Sequence, residues 1–208
     1  MNFGETLTYW YLRLNGFFPL ANFVVHRGEQ GNRPGGDVDF VAIRFPYAFE
    51  EIGGREEDWD LEVFQHWEMP IREAIAGLIV EVKTGHFDRN DLLTSFSEIR
   101  ISYALSRMGF GPHQELGQVA SELANAPLVR YGDPSIFIAK VLISVRQPAA
   151  KDLPPFFHLP LEHVSMFIEN RMEKYIDRKR GERIYFPSDL LQYVIWRREV
   201  SGNPHAAS

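Results

Sequence analysis

Three charged residues stand where β-strands should be apolar. In the run 38–45 (VDFVAIRF), Asp39 shares a strand face with Val41 and Ile43, and in the run 78–83 (LIVEVK) Ile79, Glu81 and Lys83 share another. If the two strands are neighbours, Asp39, Glu81 and Lys83 converge at one end of the sheet. Adjacent carboxylates repel, and burial penalises both, so such a pair persists only if something neutralises it. A divalent cation does so. Oxygen donors without His or Cys suit Mg²⁺ or Mn²⁺ rather than zinc. Such a cation activates water and stabilises charge on a phosphate, while the Lys83 ammonium positions the attacking water and offsets the same charge. These three residue types together are those of a phosphodiester hydrolysis site. Asp37 lies on the same strand face as Asp39 and could be the ligand in its place; the residue deeper in the apolar run is preferred because its neighbours fix it. The structural alternative for Glu81 and Lys83 is a strand end with an exposed ion pair.

The elements that must position these groups read as follows. Residues 3–15 form a helix, with Phe3, Leu7, Trp10, Tyr11 and Leu14 on one face and Gly16 ending it. Residues 17–27 form a strand after the turn at Pro19, residues 28–36 are turn chemistry, and residues 38–45 are the second strand. Residues 46–76 are different in kind. Between Glu50 and Glu73 stand nine acidic residues against Arg55 and Arg72, a local net charge of −7, and this reads as an insertion at the sheet edge with a short helix near Val63 to Glu68. The third strand is 78–83, closed by Thr84-Gly85. One helix is expected over 91–108, a helical patch over 114–124, a long apolar strand over 135–145, and final helices over 161–178 and 189–200.

The motif has a family likeness. A first helix, a strand, a strand carrying Asp39, a spacer and then Val80-Glu81-Val82-Lys83-Thr84-Gly85 resemble the PD-(D/E)XK nuclease superfamily over residues 3–145. The resemblance implies an α/β fold, a mixed central sheet flanked by helices in the order α-β-β-β-α-β, here with a C-terminal helical extension. It gives Asp39 the place of the motif's Asp, and Glu81 and Lys83 those of the E-x-K. It makes the Val82 backbone carbonyl a further metal ligand and gives Glu5 the place of a glutamate that many members carry on the first helix. Glu5 has a second reading, since a glutamate in the first turn of a helix is favoured by the helix dipole. What the resemblance implies for function is an Mg²⁺- or Mn²⁺-dependent nuclease, a DNA endonuclease in a defence or DNA-processing system. The alternative is a catalytically silent nuclease-fold module that binds nucleic acid or a partner protein.

Composition sets the remaining bounds. The chain has 208 residues, no cysteine, 24% charged residues and a net charge of −6. That excludes a disulfide scaffold, a thiolate metal site and a cysteine nucleophile. Residues 1–150 are expected to form the core, with the acidic insertion at about 46–76, and residues 151–208 a helical extension packed on the same domain. Between Arg171 and Arg198 eight basic residues stand against four acidic ones. Arg178, Lys179, Arg180 and Arg183 form the compact part of that segment, an expected contact for nucleic-acid phosphates. No apolar run reaches the length of a membrane span and the N-terminus lacks signal-peptide features, so a soluble cytoplasmic protein is expected, as a homodimer or in a larger complex. The acidic insertion would repel a polyanion near the site until a partner relieves it.

Overall fold

The computed structural model describes residues 1–25, 36–48, 55–149, 152–175 and 188–202. Helix α1 (Phe3–Leu14) is amphipathic, burying Leu7, Trp10, Tyr11 and Leu14 at helical spacing. Asn2 caps it, accepting from the Glu5 N–H while Glu5 accepts from the Asn2 N–H, a reciprocal capping box. Gly16, at φ +79°, turns the chain out of the helix into β1 (Phe18–Val25). Strand β1 pairs antiparallel with β2 (Gly36–Arg44), and β2 pairs antiparallel with β3 (Ile75–Lys83). Pro19 is tolerated because β1 is an edge strand with its outer side unpaired among the described strands.

After β3 come α2's successors on the far side of the sheet; α2 itself (Leu61–His66) lies between β2 and β3. They are α3 (Arg89–Ser95), α4 (Glu98–Met108) and α5 (His113–Asn125), followed by β4 (Leu128–Tyr131) and β5 (Ile136–Ser144). Strand β5 runs parallel to β3, as a helical crossover requires. Its other edge is shared. Strand β4 pairs antiparallel with Ile136–Ala139, and β6 (Phe157–Pro160) pairs parallel with Val141–Ser144. Helix α6 (Leu161–Lys174) packs against α1, and α7 (Asp189–Gly202) packs against α6. The result is the expected mixed sheet flanked by helices, in the order β1-β2-β3-β5-β4 with β6 beside β5.

Both faces of the sheet are covered, which is why β3 and β5 read as nearly continuous apolar runs. On one face Phe40, Leu78, Val80 and Val141 meet α1 and α6; on the other Val41, Ile79 and Ile138 meet α4 and α5.

Three expectations change. The helix expected over 91–108 is two helices, broken at Phe96-Ser97. Phe96 turns into a small apolar cluster with Leu92 and Leu142, and the following turn of the chain buries Ile101, Ala104 and Leu105 while Ile99 points outward. The acidic stretch, expected as an insertion with a short helix, contributes to the core as well. Its helix α2, and the residues after it, place Phe64, Trp67, Met69 and Ile71 in the main core. Buried Arg44 fastens it from β2, donating to the Asn15 and Ile71 carbonyls with its guanidinium 4.1 Å from the Trp59 ring centroid. Burial holds the Arg44 pKa down to about 10. Finally, residues after 150 add β6 to the sheet as well as helices, a strand of four residues too short to announce itself in the sequence.

Candidate functional site

Strand β3 is buried on both sides, and Glu81 lies within it at 6% exposure. A carboxylate there requires partners, and it has two on the same oxygen. Lys83 Nζ stands 2.6 Å from Glu81 Oε1, and the Ser95 hydroxyl of α3 donates to Oε1 at 2.7 Å. Lys83 itself retains 27% of its side-chain exposure, so its ammonium reaches the surface at the strand's end.

Asp39 comes from the neighbouring strand. The β2–β3 pairing runs from Arg44↔Ala76 to Phe40↔Val80, and the next step brings Asp39 opposite Glu81. There the backbone ladder gives way to a side-chain bond, because the Val82 N–H donates to Asp39 Oδ2 at 2.7 Å. In a strand a residue's N–H and C=O face the same edge, so the Val82 carbonyl also faces β2. Asp39 is half-buried, and its pKa is raised to about 7, by burial first and then by the charge of Glu81. Glu5 adds a smaller push in the same direction, while the Val82 N–H and the Lys83 ammonium oppose it.

Glu5 stands on α1, within electrostatic reach of Asp39. Its carboxylate is bound by the Asn2 N–H at 3.1 Å and Asn2 Nδ2 at 2.6 Å, so the capping role is real, and it also lies close enough to act on Asp39. Gly4 permits this approach. Its Cα packs so tightly on Thr84, directly after the E-x-K, that an added Cβ would run into the Thr84 methyl group. The helix start and the end of β3 are thereby held together.

Asp39, Glu81, Lys83 and the Val82 backbone are thus brought together at one end of the sheet, while Glu5 bonds to Asn2 and reaches Asp39 only through its charge. Asp37 pairs its backbone with Val24 one step before the site, and its side chain lies outside the described residues. Arg178, Lys179, Arg180 and Arg183 also lie outside the described residues. His86 is an exposed loop residue. The residue that the sequence reading missed is Ser95. It falls on the apolar stripe of α3 with Leu92 and Phe96, and a serine on a buried stripe is the signal that could have found it.

The donor set is all oxygen. Among the described residues no three His, Asp or Glu side chains gather as a metal-holding group. The site offers two carboxylates and one backbone carbonyl, which fits Mg²⁺, an ion bound through one or two carboxylates with waters and substrate phosphates completing its shell. Two acids of the insertion are engaged within the fold. Asp58 is bound by Lys174 and Tyr175, and Asp60 accepts from Tyr11 at 2.8 Å and stands 2.6 Å from His163 Nε2. Those contacts tie the insertion to α1 and α6.

No protein-family model matches this chain, and no curated protein or solved structure matches it either. Among the described residues no helix is long and apolar enough to cross a membrane.

Proposed function

We propose that the protein is a divalent-cation-dependent nuclease that hydrolyses phosphodiester bonds, acting on DNA as an endonuclease. The observation that carries the reading is the Asp39–Glu81–Lys83 cluster, two carboxylates and an ammonium converging at the end of neighbouring strands β2 and β3. Asp39, Glu81 and the Val82 carbonyl would hold Mg²⁺ or Mn²⁺, which supplies water activation and charge stabilisation at a phosphate. Lys83 reaches the surface beside them and can meet the charge that builds on the phosphate oxygens. Glu5 adds negative charge near Asp39 and so favours the cation. The likeness of Asp39 and Val80 to Gly85 to the PD-(D/E)XK pattern supports the same reading. The basic stretch around Arg178 to Arg183 supplies the charge for a phosphate backbone.

A second reading draws on the small donor set. With only two carboxylates and a carbonyl, and with Glu81 already paired to Lys83, the chain could serve as a silent nuclease-fold module that binds nucleic acid or a protein partner. A panel of labelled DNA and RNA substrates, duplex, branched and single-stranded, separates the two in Mg²⁺, Mn²⁺ and EDTA. The nuclease reading expects cleavage of DNA that EDTA stops and that Asp39→Ala removes. Binding without cleavage under either cation supports the silent module.

A further inference from the structure

We propose that Ser95 is a positioning residue of this site, holding the Glu81 carboxylate in place for the divalent cation. The inference rests on reading Asp39, Glu81 and Lys83 as a cation-dependent site.

Ser95 and Glu81 are both buried, at 5% and 6% exposure, and their bond is short at 2.7 Å. A serine hydroxyl has one proton to give, and here Glu81 receives it. Lys83 binds the same oxygen, but the two donors differ in what they can do. Lys83 sits on a long stem at a partly exposed strand end and can swing toward a substrate phosphate. Ser95 has one rotatable bond and is fixed by the helix that carries it. When Lys83 leaves, Glu81 keeps one donor and its orientation.

The choice of a neutral donor matters. A second ammonium on Glu81 would compete with the cation for the carboxylate, whereas a hydroxyl fixes it without adding charge. Another lysine, Lys140, stands opposite Ile79 on the neighbouring strand, and its ammonium is engaged elsewhere. Lys140 of β5 is fully buried, and its ammonium donates to the Ala124 carbonyl at the end of α5 at 3.1 Å. The same ammonium lies 5.7 Å from the Phe96 ring, and Phe96 stacks on Phe156. Ser97 closes the helix break by donating to the Thr94 carbonyl at 3.0 Å. Phe96 and the Ser97–Thr94 bond therefore anchor the chain directly after Ser95, whose hydroxyl is bonded to Glu81.

The test is the affinity of the full-length, metal-free protein for Mn²⁺, by isothermal titration, in wild type, Ser95→Ala and Ser97→Ala, with melting temperatures recorded in EDTA. A hydrogen bond to an ionised acceptor is worth roughly a power of ten in an equilibrium constant. Ser95→Ala is expected to weaken Mn²⁺ binding about tenfold, while Ser97→Ala, which perturbs the same helix junction without touching Glu81, leaves it unchanged. An affinity in Ser95→Ala within about twofold of wild type overturns the inference. So does an equal loss in Ser97→Ala, which would assign the effect to the junction rather than to the bond. Wild-type protein that binds no Mn²⁺ overturns the cation-site reading and this inference with it; wild-type binding that Ser95→Ala leaves intact removes this inference alone.

Discussion

Asp39 is held far from its ordinary protonation state. Burial and the charge of Glu81 raise its pKa from the usual carboxylate range to about 7. The folded protein without metal therefore holds a proton there that the unfolded chain, with a pKa near 4, gives up. Between those values stability falls as pH rises, because the folded state binds more protons. Asp39→Asn should flatten that part of the curve, as measured by urea unfolding from pH 4 to 8 in EDTA. A divalent cation competes with the same proton, so Mn²⁺ affinity should climb as pH rises from 5.5 toward about 7 and level off above it. An affinity independent of pH across that range would place the cation elsewhere. Asp39, Glu81 and Lys83 were legible in the sequence because charge inside an apolar alternation is conspicuous. Ser95 was not. Its place on a buried helix stripe was the one signal, and only the fold shows that it bonds Glu81.

At the scale of elements, the acidic insertion shows how charge can hide packing. Nine acids between Glu50 and Glu73 mark an insertion at the sheet edge, yet Phe64 and Trp67 are buried in the main core and stack edge to face at 5.6 Å. Phe64→Ala should cost about 3 to 5 kcal/mol in chemical denaturation, as a large core truncation does. A cost below about 1 kcal/mol would return the segment to the surface. One of the acids is itself part of that packing. Asp58 is tied to Lys174 and Tyr175, whose hydrogen bonds outweigh the burial that would raise its pKa and hold it below the usual value. These partners lie more than a hundred residues away in sequence, so local pattern could not show that Asp58 is bound inside the fold while Glu56, Glu57, Glu62, Glu68 and Glu73 stay exposed. The same locality explains the other differences. Strands β4 and β6 have four residues each and owe their pairing to β5, and the α3–α4 break follows from what Phe96 packs against. Long elements with a full period, such as α1 and β5, were readable within a residue or two.

For the whole molecule, the net charge of −6 says little about its ligand, because the charge is unevenly placed. The insertion is acidic, the stretch from Arg171 to Arg198 is basic, and the candidate site gathers carboxylates around one lysine. The topology was legible in outline, since hairpin strands followed by a helical crossover admit few arrangements. What positions the site is the junction of three elements: β2 gives Asp39, β3 gives Glu81 and Lys83, and α1 is held against Thr84 by the absence of a side chain at Gly4. The proposal that this junction cuts nucleic acid turns on Lys83, which is not among the groups that would hold the cation. The measurement is the single-turnover rate of DNA cleavage in Mn²⁺ by wild type and Lys83→Ala, with DNA and Mn²⁺ binding recorded on the same preparations. The account predicts that Lys83→Ala keeps both forms of binding and loses cleavage by about a hundredfold or more, the scale of removing a group that stabilises charge in the transition state. Cleavage by Lys83→Ala at the wild-type rate, or no cleavage by the wild type under either cation, would contradict it.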